Sequence, residues 1–393
     1  MLTVVGGTYL ETCQEPNWRE LFGSGLRAAL ALSGNIPNVR FHSCIGSDFI
    51  RTAEAICASY DVAATFQVIP QTVEFNYHHP LAQPVVYPDV FSLSKVALPE
   101  INADIILLYG MAEATVQVTA DYVVYDPQNR APFRNAGATA RHLALVLNQT
   151  EALLLANMTP GTDLSEAGKS LLVSEGAEVV VIKNGAHGAW VIEPSGVQRI
   201  PLFKTPAVWS IGSGDVFSAI FAWKWAIEKL PAAESALWAS RFTAHYCQRK
   251  GMPLPLPATP STFEEASIQD AVRKVYLAGP FFTLAERWLI NELRDKLLDF
   301  GNVVFSPLHD VGFGPAATVV AADLAGLNEA DVVVAVATGL DPGTIFEVGY
   351  ARALNKRVVV LAENVPESNL TMLIGSACEM TADFASAVYK ASW

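Results

Sequence analysis

Between polar segments, this chain repeatedly returns to short runs that are apolar without alternation. Val332-Val-Val-Ala-Val336 and Val358-Val-Val-Leu361 are the plainest cases. Thr3–Val5, Ile105–Tyr109, Tyr122–Tyr125, Ala152–Leu155, Val179–Ile182, Val275–Ala278 and Val303–Phe305 read the same way. A strand with one solvated face would alternate polar and apolar residues, so continuous runs point to strands buried on both faces of a parallel sheet. Helix-like segments separate them, which predicts right-handed βαβ units and an α/β fold.

The chain has 393 residues, more than one core usually serves. The break is visible. Gly251-Met-Pro-Leu-Pro-Leu-Pro-Ala-Thr-Pro260 places four prolines in ten residues, which neither a helix nor a central strand tolerates. The expected division is a domain at 1–255, a Pro-rich linker at 256–272 and a smaller domain at 273–393. Residues 75–96, with His-His-Pro, Gln-Pro and Tyr-Pro, read as an irregular excursion that could form a lid.

Charge excludes some partners. Residues 271–393 hold 9 Lys and Arg against 14 Asp and Glu, and residues 1–270 hold 17 against 25. Both parts are acidic, so neither reads as a binder of nucleic acid or of membrane surfaces. Phosphate ligands remain open, because helix N-termini bind them without net positive charge. No stretch reaches the ~18 apolar residues that cross a bilayer, and the first residues lack a signal peptide's basic region. Five widely spaced cysteines read as reduced thiols, and the expected location is the cytoplasm. The histidines show no zinc-ligand spacing.

In the C-terminal part, Val275-Tyr-Leu-Ala-Gly-Pro-Phe-Phe282 runs a strand into Gly279-Pro280, which puts backbone amides at the carboxyl end of the sheet. Phe305-Ser-Pro-Leu-His-Asp310 follows another strand. Asp341-Pro-Gly-Thr-Ile-Phe-Glu347 places one carboxylate on a turn and another on the helix after it, and Asp323 lies on the preceding helix. Three carboxylates at one cleft suit glycosyl chemistry: one attacks or stabilises an oxocarbenium-like centre while another, protonated, assists the leaving group. Taken singly, Asp323 and Asp341 could instead cap helices, and Glu347 could be a solvated surface carboxylate.

These motifs resemble the nucleoside 2-deoxyribosyltransferase family over nearly all of residues 274–393. The resemblance implies a Rossmann/flavodoxin-like parallel sheet and needs no cofactor. It makes Glu347 the nucleophile, Asp323 the group assisting the departing base, Asp341 the partner of the sugar hydroxyls and Tyr276 the residue that orients Glu347. Gly279, Pro280, Phe281, His309, Asp310 and Gly343 would bind substrate. Asn369 would be donated into a neighbouring subunit, which implies a homo-oligomer through this domain. The family includes nucleoside 5′-monophosphate hydrolases, but Asp341 favours a free hydroxyl over a phosphate, since like charges repel.

In the N-terminal part, Gly212-Ser213-Gly214-Asp215 opens the apolar helix Val216–Ile227. Amides at a helix start, with the positive end of its dipole, would stabilise a transferring phosphoryl group, and Asp215 can take the proton of an attacking hydroxyl. An ordinary capped helix with Asp in its first turn gives the same sequence. In context the segment resembles the PfkB or ribokinase-like kinase family over residues 2–250, which implies an α/β/α sandwich using ATP and Mg²⁺. Asp215 would be the base and Gly212 and Gly214 part of the anion hole. Asn148 and Glu151 match the family's N-x-x-E motif that organises Mg²⁺. Lys183, Asn184 and Gly185 would lie in a nucleotide loop, and Gly23, Gly25 and Arg27 in the sugar-side glycine motif. Departures accompany the match: Trp209 stands where the family has an acid, Ile211 precedes the glycine turn, and only Glu11 offers itself as the sugar-binding acid.

Three readings follow. The first is a bifunctional nucleoside-salvage enzyme that exchanges a base and phosphorylates a sugar or nucleoside. In the second only the C-terminal domain is catalytic and the kinase-like domain binds a ligand or aids assembly. The third is a deoxynucleoside monophosphate N-glycosidase.

Overall fold

A computed structural model describes residues 1–89, 92–128, 131–255, 263–266 and 272–393. The chain divides into two compact units: Met1–Thr205 with Trp209–Ile268, and Pro206–Val208 with Gln269–Trp393. Most of the expected linker at 256–272 lies outside the described residues. Within it, Phe203 bridges antiparallel to Glu265, and Lys204 N–H donates to the Glu264 carbonyl at 2.8 Å, so this piece of chain is tied to the first unit.

The first unit is the expected α/β/α sandwich. Its nine-stranded sheet runs, from one edge, Gly196–Ile200, Ala189–Glu193, Val179–Lys183, Ala138–Asn148, Val118–Asp126, Ile101–Tyr109, Leu2–Val5, Arg40–Gly46 and Ala63–Ile69. Every neighbouring pair is parallel except the two that include Ala189–Glu193. The unbroken apolar runs serve both faces. Leu2, Val4 and Leu107 pack with the helices Gly23–Ser33, Ser213–Ala222 and Ala232–Arg249, whereas Val5, Ile106 and Leu108 pack with Gln149–Leu155 and Leu164–Glu175. Each such side chain, once fully buried, stabilises the fold by about 1.5–3 kcal/mol before entropy is counted.

Two expectations need correction. Ala152–Leu155 is not a strand; it is the end of the helix Gln149–Leu155. The Asn148 side chain accepts from Glu151 N–H and the Glu151 carboxylate accepts from Asn148 N–H, both at 2.8 Å, and this capping box starts a helix where the apolar run alone suggested a strand. The excursion at 75–96 is not wholly irregular either. Glu74–Tyr77 and Val85–Tyr87 pair in a four-stranded sheet with Leu10–Cys13 and Trp18–Leu21, so this sheet takes up backbone groups that an open loop would leave to water.

The second unit is a five-stranded, all-parallel sheet built from Lys274–Ala278, Val303–Phe305, Val332–Val336, Arg357–Leu361 and Glu379–Thr381. Counted along the chain, their spatial order is second, first, third, fourth, fifth. That is the flavodoxin-like order, whose switch point lies between the first and third strands. Among the described residues, no helix is long and apolar enough to cross a membrane.

Candidate active site

In the second unit the chemistry gathers at that switch point. Tyr276 comes from the first strand and is fully buried, its ring stacked on Phe305 at 5.5 Å between centroids. Glu347 comes from the helix Pro342–Ala353, which follows the third strand. The Tyr276 hydroxyl donates to the Glu347 carboxylate at 2.5 Å. Asp341 is the N-cap of the same helix; its Oδ2 accepts from Thr344 N–H at 2.8 Å and from the Thr344 hydroxyl at 3.0 Å. Capping and a place beside Glu347 are thus compatible for Asp341.

Burial pushes the Glu347 carboxyl up to about 7; the Tyr276 hydrogen bond opposes this, and the charges of Asp323 and Asp341 add to it. A carboxylate held in this way is poised to ionise near neutral pH. Asp323, on the helix Ala316–Glu329, is also raised by burial, and its Oδ1 is buried with no hydrogen-bond partner. Burial with the Glu347 and Asp323 charges raises the Tyr276 phenol, so it remains a donor. Tyr276, Glu347, Asp323 and Asp341 therefore form one electrostatic cluster.

The other expected residues are less tightly gathered. Gly279 directly follows the first strand, and a Cβ there would lie 2.6 Å from Ile290 and 3.1 Å from Val336, so close packing accounts for it. After Pro280, Phe281 stacks on Phe282 and meets Phe313 edge-on, with Phe282 and Phe313 largely exposed. His309 is engaged by Ser306 and Asn291 at 3.0 Å each, and Asp310 accepts from Ser306 N–H at 2.7 Å, so these two secure their own turn. Gly343 lies in the first turn after Asp341. Asn369 is exposed in the short turn Glu367–Asn369.

In the first unit, Gly212 takes a left-handed conformation (φ 76°) as N-cap of the helix Ser213–Ala222, and Asp215 sits in its first turn, 8% exposed. Both Asp215 oxygens are occupied: Oδ2 accepts from Arg27 Nη1 and Oδ1 from Gln128 Nε2, each at 2.7 Å. Arg27, 1% exposed, also pairs with both oxygens of Glu11, and Glu11 Oε1 accepts from Gly23 N–H at 3.1 Å. Burial works against the Arg27 charge, but Glu11, Tyr246 and Asp215 more than reverse this and hold it cationic. A Cβ on Gly25 would lie 2.6 Å from the Gly6 carbonyl carbon, so that glycine lets the helix touch the end of the first strand. Trp209 is buried edge-on against Trp18 at 4.9 Å.

Lys183 lies beside the glycine turn, 3.3 Å from where a Cβ on Gly214 would be. Its ammonium pairs with Asp126 at 2.8 Å, and Ser218 donates to the same carboxylate oxygen at 2.7 Å. Asn184 and Gly185 lead into the turn Gly185–His187. The donor set does not fit a directly bound Mg²⁺ well. Asn148 Oδ1 and Glu151 Oε2 accept each other's backbone amides, and Lys183 already supplies a cation that Asp126, Glu151 and Asp215 attract. Asp126 and Gln128 belong to none of the motifs above. Asp126-Pro127 directly after an apolar run marks the carboxyl end of a central strand, and that was the available signal.

Two family models match this chain. Residues 275–379 match the nucleoside 2-deoxyribosyltransferase model, and residues 77–259 match the pfkB family carbohydrate kinase model. The two matches fall on separate stretches of the chain. Tyr276, Asp323, Asp341, Glu347 and Asn369 lie inside the deoxyribosyltransferase match. The PfkB match includes Asp215, Asn148, Glu151 and Lys183 but begins after Glu11, Gly23, Gly25 and Arg27. No curated protein matches the chain. Solved structures similar to it include a pyrophosphate-dependent kinase in the ribokinase family complexed with a pyrophosphate analog and myo-inositol (13% identity, 65% of this chain and 97% of that one, TM-score 0.46). Others are a ribokinase from Thermotoga maritima (18%, 64% and 94%, 0.45) and aminoimidazole riboside kinase from Salmonella enterica (14%, 64% and 94%, 0.46).

Proposed function

We propose that the deoxyribosyltransferase-family unit breaks and remakes the N-glycosidic bond of 2′-deoxynucleosides, with Glu347 as nucleophile. The observation that carries this reading is the 2.5 Å hydrogen bond from the buried Tyr276 phenol to Glu347. A carboxylate oxygen attacks C1′ as the bond to the base breaks. Asp323 assists by protonating the departing base, and its unpartnered Oδ1 suits that task. A second base then attacks C1′ from the freed face and expels Glu347, so two inversions give net retention. Water in place of the base gives hydrolysis. Asp341 hydrogen-bonds the sugar hydroxyls, and its charge disfavours a 5′-monophosphate. Asn369 would reach into a neighbouring subunit of a homo-oligomer. Nucleoside salvage in the cytoplasm fits this chemistry.

For the PfkB-family unit, an ATP- and Mg²⁺-dependent sugar or nucleoside kinase is one reading and a non-catalytic binding or assembly module the other. The occupation of both Asp215 oxygens by Arg27 and Gln128 favours the second.

The test of the glycosyl reading is to incubate the full-length protein with deoxynucleosides, with and without a second free base, beside Glu347→Ala. Base exchange or release that the variant lacks supports it. Cleavage of monophosphates alone would point to the N-glycosidase, and no turnover of either would overturn glycosyl chemistry altogether.

A further inference from the structure

We infer that Arg27 fills the place at Asp215 that a phosphoryl acceptor would need, so that Asp215 is a structural counter-ion and the first unit transfers no phosphoryl group. This rests on the reading of that unit as non-catalytic and names the residue responsible.

The geometry is that of an internal occupant. Arg27 reaches from the helix Gly23–Ser33 to Glu11 on one side and Asp215 on the other, residues that lie 16 and 188 positions away in sequence. Its guanidinium lies over the Phe22 ring, 4.8 Å from the centroid. It also rests against the glycine turn: a Cβ on Gly212 would fall 2.1 Å from Arg27 Nε and 2.2 Å from Cζ. Gly212 therefore clears room for this side chain. The second glycine of the turn, Gly214, has Lys183 beside it, fixed by Asp126. The chain's own cations thus flank the turn whose amides would receive a transferring phosphoryl group.

A general base must lie within hydrogen-bond reach of the proton it takes, and its basicity must suit the task. Asp215 does not meet the first condition while a guanidinium and an amide hold its two oxygens. An entering hydroxyl would have to displace Arg27 or Gln128 from Asp215, and losing Asp215 would leave the buried Arg27 charge with Glu11 as its one remaining carboxylate.

The test uses the full-length protein and the variants Asp215→Asn, Arg27→Met and the double variant. One readout is the thermal unfolding midpoint. The other is transfer of label from γ-labelled ATP to a panel of pentoses, hexoses and nucleosides. Either single substitution should lower the midpoint by roughly 5–15 °C, since each strands a buried charge or dipole. The double variant should be no less stable than the worse single one. A working base behaves in the opposite way, because its replacement leaves stability unchanged or raises it. If Arg27→Met does not fold, Asp215→Asn alone decides the stability arm.

Labelled product that disappears in Asp215→Asn would overturn both this inference and the non-catalytic reading beneath it. No such product, with Asp215→Asn neutral or stabilising or with additive single effects, would overturn the role of Arg27 and leave the non-catalytic reading standing. No product together with a destabilising, non-additive pair is the expected result.

Discussion

Tyr276 and Glu347, 71 residues apart, meet across the switch point of the second unit with the phenol donating to the carboxylate at 2.5 Å. A strand supplies the donor and the helix after a different strand supplies the acceptor, so their register depends on the sheet. Replacing Tyr276 by Phe keeps the ring and removes the donor. The variant should lose roughly 10–100-fold in kcat with little change in KM, as a positioning group does. Steady-state kinetics of base exchange would measure this split.

The same bond opposes the burial that raises Glu347, which sets a sign for pH dependence. The nucleophile must be ionised, so the rate should rise with pH through an apparent pKa of about 7. In Tyr276→Phe the opposing interaction is gone, and the rising limb should move to higher pH. An unchanged limb in the variant would contradict the assignment of that limb to Glu347.

Stability should carry the same signature in reverse. Burial raises the folded Glu347 carboxyl to about 7 from an ordinary 4.5, so the folded state holds its proton more tightly than the unfolded one. Its contribution is intact below about 4.5 and is lost as pH rises toward 7. Glu347→Gln removes the ionisation, and its advantage over the parent should grow over that interval to on the order of 3 kcal/mol. Urea denaturation at several pH values would show the difference.

Asp323 should matter in proportion to how badly the leaving base needs a proton. Asp323→Asn should slow ordinary deoxynucleosides by roughly 10²–10⁴-fold and substrates with readily expelled bases far less. A plot of rate against leaving-group pKa should be steeper for the variant. Equal slopes would remove Asp323 from proton transfer.

Asn148 offers a stability test in the first unit. Asn148→Ala removes one half of the capping box on Gln149–Leu155 and should cost about 1 kcal/mol in the unfolding of that unit.

Much of the fold was legible because parallel strands are apolar on both faces, and eight of the nine expected runs lie in strands. Ala152–Leu155 misled because four apolar residues cannot distinguish a buried strand from a buried helix, whereas the cap before them could. In the second unit Tyr276, Asp341 and Glu347 were legible as a group because they lie in short motifs on or just after the first and third strands. In the first unit the residues were named and their use was not. Arg27, in the sugar-side glycine motif, pairs with both Glu11, the sugar-binding candidate, and Asp215. Pairing across 188 positions leaves no local periodicity. Gln128 was missed for the same reason.

One glycine reaches further than its size suggests. A Cβ on Gly326 would lie 2.5 Å from the Phe305 ring, so its absence lets that ring lie flat beneath Tyr276. The phenol is then held by stacking on a packed side chain. Ordering a side chain has an entropic cost, and for the Tyr276 phenol that cost falls on the folding of the chain.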